Sequence, residues 1–181
     1  LTGINTYTGA TTVSAGTLSL TGSGSIATSS SVTNNATFDI SATTTGASII
    51  SLAGNSSGSV ALGSKTLTIS NANNTFAGVI SGTGNVVLTT GTQTLSGANT
   101  YTGTTTINGG TLTVSGSLSD STAVTVASGA TYSLGASDTI AALTGAGNVT
   151  LGSNTLTIGN GSGTFAGEIS GTGNLVLTTG T

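Results

Sequence analysis

Hydrophobic residues fall along this chain in short alternating pairs: Leu18 and Leu20, Phe38 and Ile40, Val60 and Leu62, Leu67 and Ile69, Val86 and Leu88. Leu112 and Val114, Val124 and Val126, Leu156 and Ile158, and Leu175 and Leu177 continue the series. Alternation at period two, rich in Val, Ile and Thr and bounded by Gly, Asn and Ser, predicts short β-strands separated by turns. No stretch carries a helical period, so the expected fold class is all-β.

The pattern repeats on two scales. LTGINTYTGATTVSAGTLSL from Leu1 realigns on LSGANTYTGTTTINGGTLTV from Leu95, and the segment from Lys65 to Thr92 realigns on Asn154 to Thr181. The six aromatics then form three equivalent pairs: Tyr7 with Tyr101, Phe38 with Tyr132, and Phe76 with Phe165. Two long repeats follow, 1–94 and 95–181, expected to form one continuous body. A finer spacing of roughly 20 residues runs inside each, as from Val13 to Val32 and from Leu112 to Tyr132. That is the length of one β-solenoid coil in which each strand pairs with its counterparts above and below. The chain then predicts a parallel β-solenoid of about nine coils, on the order of 43 Å long at ~4.8 Å per coil. A propeller is the competing β-repeat architecture, but its blades need four antiparallel strands and usually carry large aromatics.

Composition narrows the function. The 181 residues include 41 Thr, 27 Ser and 30 Gly, but no Pro, Cys or His, and Lys65 is the sole cation beside four acids. With no basic patch to neutralise phosphates, nucleic acid is not expected as a partner. Without His or Cys, the usual zinc ligands and the Ser-His-Asp triad are missing, and too few Asp are present for a calcium-binding repeat array. No catalytic residue, metal site or cofactor is therefore expected. The acids are dispersed and no charged position recurs between repeats: Asp39 aligns with Ser133, Asp120 with Ile26, Glu168 with Val79, and Lys65 with Asn154. All are read as solvated surface groups, Asp138 among them. Apolar runs such as Val86 to Leu88 fall far short of the ~20 residues of a membrane helix, so this segment is not expected to insert.

The structural positions of the repeat are Tyr7, Gly9, Gly16, Phe38, Phe76, Tyr101, Gly103, Gly110, Tyr132 and Phe165. Gly9, Gly103, Gly16 and Gly110 fall where a tight corner needs positive φ or close backbone approach. Asn5, Asn85, Asn99 and Asn174 are candidate corner residues whose amides bond neighbouring coils. Tyr7, Tyr101, Phe76 and Phe165 are expected to pack in the interior or at corners rather than to offer a carbohydrate-stacking platform.

NTYTGATTVSAGTLSL from Asn5 and NTYTGTTTINGGTLTV from Asn99 resemble the passenger-associated repeat of bacterial autotransporters, about 16 residues in each copy. GTGNVVLTTGT and GTGNLVLTTGT are similar to the links between such repeats. The resemblance implies a right-handed parallel β-helix, exported through an outer-membrane barrel and displayed at the cell surface or secreted as a stalk or adhesin.

The expected role is therefore a non-enzymatic extracellular shaft, with host or matrix glycans as candidate partners. The alternative is a subunit of an extracellular filament. Thr181 stands almost in register to lead into another Leu1, so coils are expected to continue past both ends, within one polypeptide or as head-to-tail neighbours. The Thr-x-Thr pairs at Thr66, Thr111 and Thr155 resemble the flat threonine face of ice-binding solenoids, a third and weaker reading.

Overall fold

A computed structural model describes residues 1–179, and the register expected at Thr181 lies outside the described residues. The described residues form a parallel β-solenoid of about 9 turns with no helix. All the strand pairings are parallel, as they must be when each strand joins its neighbour by one full circuit of the chain.

Each coil visits three faces in turn. The first face begins with a 3-stranded sheet (Thr11–Val13, Val32–Asn34, Leu52–Ala53). It continues as a 6-stranded sheet from Thr75–Phe76 through Thr92–Leu95, Thr111–Val114, Thr131–Leu134 and Asn148–Thr150 to Glu168–Ser170. A single bridge from Gly54 to Phe76 joins the two. The second face has a 4-stranded sheet (Thr17–Gly22, Thr37–Thr43, Ser59–Ala61, Val79–Ser81) and a 3-stranded one (Asp138–Ile140, Thr155–Ile158, Asn174–Leu177). The third carries 6 strands, from Ala47–Ile49 through Leu67–Ile69, Val86–Leu88, Thr105–Ile107 and Ala123–Val126 to Ala142–Gly145.

Alternation along the strands explains the interior. In Thr111–Val114, Leu112 and Val114 are buried while Thr111 and Thr113 are half-buried on the outer side. Because parallel pairing keeps like positions in register, inward residues stack in columns: Leu112 lies on Tyr132, and Tyr132 on Val149. The outer side of the first face becomes paired hydroxyl columns, Thr94, Thr113, Ser133, Thr150 and Ser170 in one of them. The core is one continuous cluster of aliphatic and aromatic side chains running the length of the stack. At roughly 1.5–3 kcal/mol per buried Val, Leu or Ile, stability accumulates coil by coil.

Equivalent residues of the two repeats do not share a face. Thr11–Val13 lies on the first face and its counterpart Thr105–Ile107 on the third; Thr17–Gly22 lies on the second and Thr111–Val114 on the first. The long repeat therefore stops one face short of a whole number of coils, and the second copy is turned back by a third of a circuit. The three Thr-x-Thr pairs are scattered accordingly: Thr66 and Thr68 on the third face, Thr111 and Thr113 on the first, Thr155 and Thr157 on the second. They do not make one flat threonine plane.

Candidate functional site

The Asn-Thr-Tyr corner is built the same way in both copies. Asn99 donates from Nδ2 to Gly97 O at 3.0 Å and to Ser117 O of the next coil at 3.1 Å. Asn5 donates to Gly3 O and Ser25 O, each at 3.0 Å. The Tyr101 hydroxyl shares a hydrogen bond with Thr105 Oγ1 (2.5 Å), and Tyr7 shares one with Thr11 Oγ1 (2.6 Å). Thr122 Oγ1 donates to Tyr101 O at 2.8 Å, as Thr28 Oγ1 does to Tyr7 O at 2.9 Å. Asn85 and Asn174 likewise reach the preceding coil, donating to Thr66 Oγ1 and Thr155 Oγ1.

Burial separates the copies. Tyr101 is fully buried and Asn99 is 3% exposed, and Asn99 Oδ1 also accepts the Ile80 N–H at 3.1 Å. Tyr7, expected in the interior or at a corner, is 42% exposed at its corner, because no described coil lies beneath it. Gly9 differs from expectation for the same reason: it has neither positive φ nor a close neighbour, whereas a Cβ on Gly103 would strike the Gly84 carbonyl oxygen. Gly16 and Gly110 both take positive φ, 69° and 72°, which a side chain resists. Phe38, Phe76 and Tyr132 are fully buried, and Phe165 is half-buried against the core.

The second face is interrupted where the Asn99 corner enters it. Between Val79–Ser81 and Asp138–Ile140, two successive coils cross this face without a strand. Buried polar side chains take over the ladder's hydrogen bonds there: Asn99 serves Ile80, and Asp138 accepts the Leu118 N–H at 3.2–3.3 Å. Asp138 is 6% exposed and points inward at the position that Leu156 holds one coil on, with the Tyr132 hydroxyl donating to Oδ2 at 3.3 Å. This overturns its assignment to the solvated surface.

Burial pushes the Asp138 carboxyl up to about 6; the Leu118 and Thr139 amides and the Tyr132 hydroxyl oppose that rise, and the nearby Asp120 charge adds to it. Burial and the Asp138 charge raise the Tyr132 hydroxyl well above the usual tyrosine range, and burial raises that of Tyr101. Asp39 shows the opposite balance. Its burial is outweighed by hydrogen bonds from Ser41 and Ser19, so its carboxyl is held below the ordinary value.

Asp120 and Asp138, apart in sequence, come together in one open groove of about 470 Å³ with Ser137, Thr139, Thr155 and Thr157. A second groove, of about 280 Å³, is lined by Thr45, Gly46, Ala47, Ser48, Thr66 and Thr68. The two are equivalent. Ile49 pairs with Ile69 and Ile140 with Ile158, which sets Ala47 of the first repeat against Asp138 of the second. One groove is neutral with Lys65 beside it, donating to Thr44 O at 3.4 Å; the other holds two carboxylates. A carboxyl raised toward neutrality beside a second carboxylate matches a general acid and its partner, but structural networks raise pKa values in the same way.

Another polar substitution repairs the first face. Gln93 is fully buried where Leu112 and Tyr132 stack above it. Its Nε2 donates to Leu52 O and Asn74 O, each at 3.0 Å, tying together the two sheets that meet at Phe76.

A protein-family model described as passenger-associated-transport-repeat matches residues 1–20, 60–83 and 90–114. No curated protein and no solved structure matches the chain. The middle stretch contains Asn74-Thr75-Phe76-Ala77-Gly78, a third Asn-Thr-aromatic-x-Gly run, with Phe in place of Tyr, beside the two copies that carry the resemblance. Its spacing of Asn, aromatic and Gly was the available signal. Gly78 sits against the Gly58 carbonyl as Gly103 sits against that of Gly84, so the aromatic-x-Gly step serves the same close approach.

Proposed function

We propose that this chain, which carries the passenger-associated repeats of autotransporters, is a length of non-enzymatic shaft in a secreted or surface-displayed passenger, making adhesive contacts through its hydroxyl columns. The observation that carries the reading is the unbroken stack. Strand pairing joins each coil only to its neighbours, and every described coil adds one rung to the first face. Such a body resists bending and grows by adding repeats, as a spacer requires.

The outer surface supports contact with polyhydroxylated partners such as glycans. Between Lys65 and Asp120 no side chain is charged, and the outward positions of the first face from the fifth coil on are chiefly Thr and Ser. Contacts of that kind depend little on ionic strength. Against catalysis stands the duty of Asp138, whose carboxyl is engaged by Leu118 and Tyr132 in holding two coils together.

The test is display and adhesion in the native source. Antibody raised to this segment should label intact cells, and attachment to a glycan-coated surface should persist from low salt to 1 M salt. Labelling only after lysis would contradict surface display, and attachment that collapses in salt would contradict hydroxyl-borne contact.

A further inference from the structure

The interrupted second face holds Asp138, the one acidic side chain among the described buried residues. Asp138 occupies an inward position whose successors in the column are Leu156 and Leu175. The first repeat manages the same place with Ala47, so a carboxyl is not needed to close the coil. What it does instead is replace a missing strand: the Leu118 amide, with no ladder partner on that side, donates to Asp138.

Every titratable group that faces Asp138 is an acid or a phenol. Tyr132 comes from the first face of the same coil, Tyr101 from the second-face segment two coils earlier, and Asp120 from the segment that follows Leu118. Lys65, the chain's sole cation, belongs to the first repeat and lies by the neutral groove. An ionised Asp138 is therefore a buried anion without a counter-ion, facing a second carboxylate. When protonated, it still accepts the Leu118 N–H on its carbonyl oxygen, and its own proton is free to go to the Tyr132 oxygen. Both hydrogen bonds survive and the charge is gone.

We propose that the Asp138 junction is an acid-strengthened joint: protonation of this carboxyl tightens the sixth coil against the seventh, and its ionisation loosens them. The rod would be stiffest across its middle in mildly acidic surroundings and softest there at neutral pH. The sign follows from linkage. A carboxyl whose folded value lies near 6 against 3.8 in the open chain binds more protons when folded, so stability is lost as pH rises between those values and on toward 7.

Hydrogen exchange on the whole chain reads the joint amide by amide. After correction for intrinsic rates, the Leu118 amide should exchange roughly five- to tenfold more slowly at pH 5 than at pH 7. Asp138→Asn should abolish that difference, and Asp138→Ala, which installs the residue of the first repeat, should do so too. Equal corrected exchange at both pH values in the unaltered chain, or the same pH dependence in the variants, would overturn the proposal. Should either variant fail to fold, the carboxyl carbon of Asp138 followed by NMR in the unaltered chain decides the matter. A midpoint near 6 supports the joint, and one at or below 4 refutes it.

Discussion

Asn5 and Asn99 open the same five residues, make the same pair of hydrogen bonds to carbonyls two residues back and one coil on, and set the following tyrosine against the same threonine. Yet one tyrosine is 42% exposed and the other fully buried. The corner's shape is thus written in its own residues, while its burial is supplied by the coil beneath. A motif that folds locally and is sealed by its neighbour fits an architecture that grows by accretion, because each added coil completes the one before it.

The copies differ again at Ala47 and Asp138, where one sequence closes the stack with a methyl group and the other with a carboxyl bonded to Leu118. The coil tolerates either. The repeat therefore fixes hydrogen-bond geometry at corners more tightly than it fixes chemistry at individual inward positions.

The comparison is most severely broken by charging the column that both copies share. Leu112→Asp would place an unpaired carboxylate between Gln93 and Tyr132 and should cost about 4 kcal/mol or more, seen as a collapse of the denaturant midpoint. A wild-type midpoint would mean that Leu112 is not inside. Next, Asn99→Ala should cost about 2–3 kcal/mol, since it leaves the Ile80 N–H unpaired in the interior and removes the side-chain bonds to the Gly97 and Ser117 carbonyls. Asn5→Ala, at an open corner, should cost about 1 kcal/mol or less. Equal losses in chemical denaturation would show that burial does not separate the two corners.

Glycine sharpens the same contrast. Gly103→Ala drives a methyl group into the Gly84 carbonyl and should destabilise by about 1–3 kcal/mol, while Gly9→Ala, with open space around it, should stay within about 0.5 kcal/mol. The smallest effect belongs to Lys65→Ala. Its ammonium makes one long bond to Thr44 O, and thermal unfolding of the variant should overlay that of the parent chain.

Much of this was legible in the residues. Alternating pairs such as Leu112 and Val114 announce inward columns because a strand has only two sides, and a spacing near 20 residues announces coils because parallel strands need a full circuit between them. The corner asparagines were legible as well, since a side-chain amide is what spans from one turn to the next. Other features were hidden for physical reasons. The turn of one repeat against the other depends on how many residues each corner consumes, and no single residue records that. Asp138 reads as a surface acid because its partners, Leu118 and Tyr132, are brought to it by neighbouring segments with no charge to mark them. Gln93 was invisible for the same reason: its duty is to the carbonyl of Leu52, two coils away.

The central claim is that equivalent strands stack in register, one rung per coil, along a single rod. Because the chain has no cysteine, spin labels placed by Thr33→Cys and Thr150→Cys report it directly. Both positions face outward on the first face, in the second and eighth coils. Six rungs at ~4.8 Å predict one narrow distance distribution centred at about 29 Å, broadened only by the label tethers. A distribution centred beyond about 40 Å, or one spread over several populations, would mean that the two repeats do not form a continuous stack.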